Sequence, residues 1–243
     1  MNDKSFEELI QLNKDFYEKV AKEFSQTRQN AWPGWGRVAE ILSNHFRNRK
    51  EISILDLGCG NGRFYGFLSE QKFPFTINYT GLDSNEELLN EAKQKYVGVK
   101  FEKFDVIKDI LSISEHYDVI VAFGLTHHIP SVSFRKKWFA KVFDLVNDDG
   151  IAFLSFWNYK NDDRFEKSVN FIKTDKYSFG QNDLENDDYF LGWNNLPDTY
   201  RYVHLYPESE LQDILRPFDA RSLIRFSDDG VSKDLNSYIS VIL

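Results

Sequence analysis

The spacing of apolar residues predicts two helices at the beginning of the chain. Between residues 6 and 24 the apolar side chains recur mostly every three or four positions, and polar Asn13 is the one interruption. This spacing places the apolar side chains on one face of a helix. The pattern stops at residues 25–33 and resumes in a second predicted helix at residues 35–46. Residues 1–50 are therefore predicted to form an N-terminal helical cap.

From residue 51 onward, short apolar runs alternate with segments of helical periodicity. Strands are predicted at residues 52–57, 76–82, 99–104, 117–123, 150–157, 220–226 and 237–243, and helices at 63–71, 85–96, 132–146 and 207–215. Strands that alternate with helices of this length indicate an α/β fold, in which helices cover both faces of a parallel sheet. Such a sheet binds ligands at the carboxyl ends of its strands.

Residues 158–200 interrupt this alternation. The stretch is polar, aromatic and rich in acidic residues, and it shows neither helical nor strand periodicity. Loops of this length are usually functional segments or lids. We therefore expect one domain over residues 51–243, with an insertion at about residues 158–200.

Composition and charge restrict the class of protein. With 42% hydrophobic and 16% aromatic residues, the chain has the composition of a globular protein. Cys59 is the single cysteine, which excludes an intramolecular disulfide and a cysteine-based zinc site and suits the reducing cytoplasm. No apolar run is long enough to predict a membrane span. The 38 acidic and 30 basic residues give a net charge of −8, which argues against broad nonspecific binding to nucleic acid.

The segment ILDLGCGNGRF, residues 54–64, is the most informative motif. A buried strand ends at Asp56, and glycines follow at every second position from Gly58 to Gly62. Glycines let the backbone turn tightly and approach a ligand closely. A dinucleotide-binding fingerprint would have its last glycine one position later, whereas this spacing resembles the GxGxG loop of class I S-adenosylmethionine (SAM) methyltransferases; a simple glycine-rich turn is the alternative. The resemblance implies cofactor binding by Asp56, Gly58, Cys59, Gly60 and Asn61.

Acidic residues follow the next two predicted strands. Asp83 ends the second strand, where a carboxylate can accept both ribose hydroxyls of an adenosine. The alternative is that Asp83 or Ser84 caps the helix that starts at residue 85. After the third strand, the resembled fold places Asp105 opposite adenine, and a solvated loop acid is the alternative. The resemblance also implies cofactor binding by Ser84, Val106 and Phe123.

Two adjacent histidines, His127 and His128, follow the fourth predicted strand, where the methyl donor and acceptor would meet. Histidine titrates near neutral pH, so either one is a candidate general base. Adjacent residues of a helix or turn do not share a face, which argues against a two-histidine metal site. The alternative is that the two rings pack against the sheet. No metal site is predicted.

Two further segments narrow the resemblance to one family. FSQTRQNAWP, residues 24–33, and RYVHLYPESELQDIL, residues 201–215, resemble motifs of the wobble-uridine tRNA carboxymethyl methyltransferases, a group that includes the methyltransferase domain fused to an AlkB-like oxygenase in animals. The chain departs from the second motif at Val203 and Tyr206, where the family has Tyr and Phe. The resemblance implies a Rossmann-like, seven-stranded, mostly parallel sheet whose last strand is antiparallel, with SAM as the cofactor.

The second motif supplies the candidate acceptor-binding residues. A carboxylate acceptor is already ionised at neutral pH and needs a cationic clamp more than a base. Arg201 has a planar guanidinium that matches a carboxylate, and Tyr202 and His204 are neighbouring hydrogen-bond donors. In an extended segment, however, Tyr202 and His204 share one face and Arg201 points to the other. Pairing of Arg201 with a surface acid is the alternative. From the first motif, Arg28 is the candidate for the methionine carboxylate of the cofactor, with Trp32 nearby.

These patterns leave three functional hypotheses. The leading one is a SAM-dependent methyltransferase that acts on the carboxymethyl group of a tRNA wobble uridine. The second is a methyltransferase that acts on a small-molecule carboxyl, hydroxyl or amine, which the acidic charge favours. The third is a catalytically inactive binding subunit of the same fold, against which the intact glycine loop argues. The candidate partners are tRNA, a small-molecule acceptor and a small activator subunit, and no membrane is expected.

Overall fold

The computed structural model describes residues 1–158, 171–172, 175–193, 196–217, 222–227 and 235–243. Its helices are α1 (Asp3–Gln26), α2 (Trp35–His45), α3 (Arg63–Ser69), α4 (Glu86–Lys95), α5 (Val132–Asp144) and α6 (Glu208–Leu215). Its strands are β1 (Glu51–Leu57), β2 (Thr76–Asp83), β3 (Lys100–Lys103), β4 (Tyr117–Ala122), β5 (Val146–Trp157), β6 (Asp188–Gly192), β7 (Tyr200–His204), β8 (Ser222–Phe226) and β9 (Asn236–Ile242). None of the described helices combines the length and the hydrophobicity that crossing a membrane requires.

Seven strands form one sheet in the order β3-β2-β1-β4-β5-β9-β8. The pairs from β3 to β5 are parallel, and β9 is antiparallel to both of its neighbours. The predicted α/β class, with a mostly parallel sheet and an antiparallel last strand, is confirmed. Because β2, β1 and β4 are neighbours, the segments that follow them lie together at one edge of the sheet.

The central strands face two separate cores. In β4, Ile120 and Ala122 pack with side chains of α1, α5 and α6, whereas Val119 and Val121 pack with side chains of α2, α3 and α4. Burial on both faces is the reason that parallel strands are almost continuously apolar. The N-terminal helices α1 and α2 therefore contribute to the cores of the sheet, and the division of the chain at residue 50 stays a prediction.

The boundary between α5 and β5 differs most from the predicted one. β5 begins at Val146 rather than Gly150, and α5 ends at Asp144 rather than Val146. Acidic doublets that precede a glycine, as at residues 148–149 and 228–229, predict turns. The first doublet instead lies in a bulge where the register between β4 and β5 shifts, and Asp149 has a φ of 65°. A bulge absorbs extra residues without ending the strand. The second acidic doublet, at residues 228–229, lies outside the described residues.

Part of the insertion forms regular structure that the sequence pattern did not predict. β6 and β7 pair in an antiparallel hairpin, with Asp188 opposite His204. α1 packs against this hairpin, where Asn13 accepts the backbone N–H of Tyr202 at 2.7 Å and donates to its carbonyl at 3.1 Å. These two hydrogen bonds explain the polar interruption in the apolar stripe of α1. Residues 159–170, 173–174 and 194–195 of the insertion lie outside the described part of the chain.

Candidate active site

The glycine loop joins β1 to α3 and is fixed against the end of β2. The backbone N–H groups of Gly58 and Cys59 both donate to the carbonyl of Leu82, at 2.8 and 3.0 Å. Gly58 and Gly60 have φ values of +78° and +54°, a left-handed conformation that favours glycine. Of the described residues outside the loop, a Cβ atom built on Gly60 would meet Leu88 alone, whose Cδ1 atom would lie at 3.9 Å. The space above Gly60 is therefore open to a ligand that approaches the backbone.

We expect Gly60→Val to abolish SAM binding while the chain still folds. The new side chain would fill the open space above the loop. A β-branched residue is also strained at this φ, which costs on the order of 1–3 kcal/mol of folding free energy. Isothermal titration calorimetry measures SAM binding, and a thermal melt monitored by circular dichroism checks the fold. Wild-type affinity in a folded variant would show that SAM does not approach this loop.

Two residues predicted to bind the cofactor, Asp56 and Cys59, lie beneath the loop. Asp56 is 2% exposed and accepts a hydrogen bond from the hydroxyl of Tyr79, and burial raises its pKa to about 7. Cys59 packs against Gly81 of β2, where a Cβ atom would lie 2.9 Å from its Sγ atom. Burial also raises the pKa of the Cys59 thiol, so the thiol is protonated and is not a nucleophile. Both side chains support the loop from below.

Asp83 ends β2 and is hydrogen-bonded to the glycine loop. One carboxylate oxygen accepts the N–H of Gly60 and the other accepts the N–H of Asn85, both at 2.8 Å. Each oxygen retains a lone pair for a further donor, such as a ribose hydroxyl. The residue that caps α4 is Asn85, whose side chain accepts the N–H of Leu88 at 3.0 Å. The capping role considered for Asp83 and the half-buried Ser84 is therefore wrong.

α1 covers the loop and the end of β3 together. Asp105, which follows β3, forms an ion pair with Lys14 of α1 at 2.6 Å, so it is not a solvated loop acid. Val106 beside it is buried. Asn61 of the glycine loop donates to the hydroxyl of Ser25, at the other end of α1, at 2.9 Å. The predicted adenine side of the site is thus closed by one helix.

An aromatic cluster lies beside the loop at the end of β4. The rings of Trp32 and Phe123 are 6.5 Å apart, and a Cβ atom on Gly124 would lie 3.2 Å from the indole of Trp32. The guanidinium carbon of Arg28 lies 5.4 Å from the ring of Trp193, which directly follows β6. Trp32 and Phe123 therefore line the sheet edge next to the glycine loop, whereas Arg28 contacts the residue that follows β6.

Arg201 of β7 is a buried cation among aromatic rings. Its guanidinium carbon lies 5.3, 4.9 and 5.8 Å from the ring centroids of Phe16, Trp157 and Trp193; these four residues are called the arginine cage below. Arg201 is 3% exposed, and within the described residues neither its Nε nor the Nε1 of Trp193 has a hydrogen-bond partner. No carboxylate of the described residues forms an ion pair with Arg201, so the predicted alternative of a surface ion pair does not apply there. A buried cation without a counterion is costly.

His127 and His128 lie in a short helical turn after β4, and both are buried. The Nδ1 atom of His128 bonds to the carbonyl of Tyr202 at 2.9 Å, and its Nε2 bonds to the hydroxyl of Tyr17 at 2.8 Å. Burial, with a contribution from the positive charge of Arg201, lowers the pKa of His128 to about 3. Burial also lowers the pKa of His127 well below its usual value. Both rings are therefore neutral at pH 7.

The two buried histidines predict a loss of stability in weak acid. An unfolded chain protonates histidine below about pH 6.5, whereas the folded chain does not, so the free energy of unfolding falls as pH drops below this value. Each histidine should remove about 2 kcal/mol between pH 7 and pH 5. Urea unfolding at both pH values measures the loss.

The variant His128→Gln should reduce this loss of unfolding free energy by about 2 kcal/mol, and the same substitution at the exposed His116 is the control. An unchanged pH dependence in His128→Gln would contradict the burial of a neutral ring.

Tyr202 and His204 project from the opposite face of β7 to Arg201, as the alternation of an extended segment predicts. The hydroxyl of Tyr202 donates to Asp188 at 2.6 Å. His204 bonds to Asp188 at 2.8 Å and to Glu210 of α6 at 3.0 Å. The structure therefore does not bring these two predicted catalytic residues together with Arg201. They connect the hairpin to α6 instead.

The same cluster contains ligand types that a metal ion uses. Glu185, Asp188 and His204 place three such atoms within 4.8 Å of one another. Arg135 of α5 pairs with Glu185 and Glu210, both at 2.6 Å. Burial opposes protonation of His204, but its bonds to Asp188 and Glu210 raise its pKa. These ion pairs engage the side chains that a metal would need, and the prediction of no metal site stays a prediction.

Comparison with known proteins identifies the family. A family model described as a methyltransferase domain matches residues 26–221. A putative methyltransferase of Encephalitozoon cuniculi is 28% identical over 142 residues, which are 58% of this chain and 60% of that protein. A tRNA (carboxymethyluridine(34)-5-O)-methyltransferase of Arabidopsis thaliana is 25% identical over 150 residues, 60% of this chain and 33% of that protein. The structure of a SAM-dependent methyltransferase from Clostridium acetobutylicum has a TM-score of 0.63 at 19% identity and covers 95% of this chain and 97% of that one.

The site fits the cofactor of this family. The space above Gly60 is open, and the carboxylate of Asp83 faces the loop with lone pairs to spare. The chain spans 60% and 33% of the length of the two sequence relatives. The similarity to the solved structure shows that the two chains share a fold. The predicted methyltransferase class is confirmed by the family match, and SAM is the cofactor named for the solved structure that this fold resembles. With four fifths of its length inside the matched region, the chain belongs to the methyltransferase-domain family.

Proposed function

We propose that the chain transfers the methyl group of SAM to a carboxylate, that of a carboxymethyl group on a tRNA wobble uridine. The observation that carries this proposal is the arginine cage, in which Arg201 is buried without a carboxylate partner among the described residues. The planar guanidinium binds a carboxylate through two parallel hydrogen bonds. Aromatic walls exclude water, and a lower local dielectric strengthens the ion pair. The acceptor carboxylate would supply the counterion that the cage lacks.

The neutral histidines support an acceptor that needs no base. Both ring nitrogens of His128 are engaged, by Tyr17 and Tyr202, so this ring has no free site for a substrate proton. A histidine whose pKa lies near 3 is also a weak base. A carboxylate is ionised at neutral pH, so it requires neither a free ring nitrogen nor a strong base. An acceptor hydroxyl or amine that must lose a proton is therefore less compatible with this site.

The contribution of the chain to catalysis is positioning and exclusion of water. When bound between the glycine loop and Asp83, the cofactor would supply an electrophilic methyl group on a sulfonium, which a carboxylate can accept as a methyl ester without losing a proton. Arg201 holds the carboxylate, and the rings of Trp157 and Trp193 fix the guanidinium. The turn that carries His127 follows Leu125, which lies 3.4 Å from a Cβ position on Gly58. The acceptor side and the cofactor loop are thus adjacent.

The tRNA part of the proposal is supported by the relatives and by the two motifs. The relative from Arabidopsis thaliana is named for methylation of carboxymethyluridine. The motif at residues 201–215 contains Arg201, so the segment that resembles the family also carries the candidate chemistry. A small activator subunit and a cytoplasmic location stay predictions from the sequence.

A small-molecule carboxylate is the second candidate acceptor. The net charge of −8 opposes association with a phosphate backbone. Several lysines near the cofactor side are paired with acids, among them Lys22 with Glu87 at 3.9 Å and Lys103 with Glu86 at 2.8 Å. Each such pair leaves one cation fewer for a phosphate. This observation favours an acceptor that presents one carboxylate rather than a polyanion.

Transfer of radiolabelled methyl groups from SAM separates the two candidates. The purified protein is incubated with tRNA from cells that lack this methylation and, in parallel, with the small-molecule fraction of the same extract. Incorporation into tRNA that disappears in Arg201→Met supports the proposal. Incorporation only into the small-molecule fraction would replace tRNA by the second candidate. Incorporation into tRNA that Arg201→Met does not affect would separate the activity from the arginine cage.

A further inference from the structure

A second arginine without an acidic partner lies on the cofactor side. Arg63 begins α3 directly after the glycine loop. Its guanidinium donates to the carbonyl of Asn30 at 3.0 Å, and its central carbon lies 5.1 Å from the rings of both Trp32 and Trp35. In the part of the chain that the structure describes, no carboxylate forms an ion pair with it. Arg63 is therefore a half-buried cation held by two indoles and one carbonyl.

The described residues place little negative charge around Arg63. Burial and the nearby positive charge of Arg28 lower the pKa of Arg63 to about 10. The described groups that raise the pKa of Arg63 are the hydroxyl of Tyr238 and the carboxyl of Asp56. Burial raises the pKa of that carboxyl to about 7, so Asp56 is only partly ionised at neutral pH. The indole N–H of the buried Trp35 also has no hydrogen-bond partner in the described part of the chain. Within the described part of the chain, a guanidinium without an acidic partner beside an indole donor without an acceptor favours an anion at this position.

Arg63 also lies at the end of the site that is farther from Asp83. Asp83, at the end of β2, is the candidate ligand of the ribose, and the glycine loop follows the adjacent strand β1. On the other side of β1 is β4, after which Trp32 covers Gly124. A ligand that runs from β2 across the loop toward β4 therefore ends beside Trp32 and Arg63. In SAM, the ribose and the amino-acid carboxylate also lie at different ends of the molecule, so a ribose at Asp83 leaves the carboxylate near Arg63.

We propose that Arg63 binds the α-carboxylate of the methionine part of SAM, with Trp32 and Trp35 fixing the orientation of its guanidinium. The carboxylate supplies the counterion that none of the described residues provides to Arg63. Sequence reasoning assigned this role to Arg28, but the guanidinium of Arg28 contacts Trp193 beside the hairpin. The inference concerns the cofactor alone, so it stands or falls independently of the proposed acceptor.

Calorimetry with SAM and with decarboxylated SAM tests this assignment. The two ligands differ only in the α-carboxylate, so the ratio of their dissociation constants isolates its contribution. The wild-type protein should bind SAM roughly 10–100-fold more tightly than decarboxylated SAM. In Arg63→Met the ratio should fall to about 1, because SAM loses affinity and decarboxylated SAM does not. Arg63→Lys keeps the charge without the fork and should retain part of the ratio.

General damage to the pocket would not imitate this result. A merely structural role of Arg63 would weaken both ligands equally and leave the ratio at its wild-type value, which would overturn the proposal. A ratio that stays unchanged in Arg63→Met but collapses in Arg28→Met would overturn it as well and assign the carboxylate to Arg28. A thermal melt of each variant confirms that the ratio is measured on folded protein.

Discussion

Arg201→Lys is expected to lower kcat/KM for the tRNA acceptor on the order of 100-fold while SAM affinity stays unchanged. Lysine keeps the positive charge and its attraction to the rings of Trp157 and Trp193. It replaces a planar fork by a single point charge, so the two parallel hydrogen bonds to a carboxylate are lost. SAM affinity should not change because Arg201 lies on the hairpin side, in contact with Phe16 and the two indoles. Initial rates at saturating SAM and calorimetry with SAM measure the two effects.

Arg225→Lys is the matched control. Arg225 lies on β8 and bonds to Glu208 and Ser237, so the same substitution there should leave kcat/KM at its wild-type value. The pH–rate profile should show no essential base near 6.5, and His127→Ala should reduce the rate less than Arg201→Lys does. Full activity in Arg201→Lys, together with a large loss in His127→Ala and such a titration, would move the acceptor to a hydroxyl or an amine.

Asp83→Ala is expected to weaken SAM binding by about 1.5–3 kcal/mol, which corresponds to roughly 10–150-fold in the dissociation constant. The substitution removes the acceptors for the ribose hydroxyls. It also removes the acceptor for the N–H of Gly60, so the loop itself loses an anchor. Asp83→Asn keeps one of the two acceptor oxygens and should lose less. Calorimetry with SAM measures all three proteins.

Asp109→Ala controls for the loss of one negative charge near the site. Asp109 is exposed, and the hydrogen bonds described for it are made by its backbone. This variant should bind SAM as the wild-type protein does. If Asp83→Ala and Asp109→Ala both retained wild-type affinity, the ribose would have to lie elsewhere than at the end of β2.

Local patterns predicted most of the fold because the sheet is regular. Apolar runs such as residues 117–123 are buried on both faces, so their composition identifies them without tertiary information. The start of β5 was predicted wrongly because a bulge and a turn share the same acidic and glycine residues. The hairpin of β6 and β7 was missed because its burial comes from α1, which pairs with it across 189 positions of sequence through Asn13.

The cofactor side of the site was more predictable than the acceptor side. The glycine loop and Asp83 follow consecutive strands, so the sequence spacing places them together. The arginine cage draws on α1, β5, β7 and the residue after β6, and no local spacing connects Phe16, Trp157 and Trp193 with Arg201. The polar Asn13 within an apolar stripe was the available signal that α1 contacts something other than a core. The alternation along β7 separated Arg201 from Tyr202 and His204 correctly, although all three had been candidates for one acceptor site.

Alkaline lability of the transferred methyl group tests the carboxylate acceptor most directly. Mild alkali hydrolyses a methyl ester and releases volatile methanol, whereas methyl groups bound to nitrogen or to an ether oxygen remain on the acceptor. With radiolabelled SAM and tRNA, the wild-type protein should yield label that becomes volatile after alkaline treatment, and Arg201→Met should yield almost none. Label that stays on the acceptor after alkali would contradict a carboxylate acceptor and the role of the arginine cage in binding it.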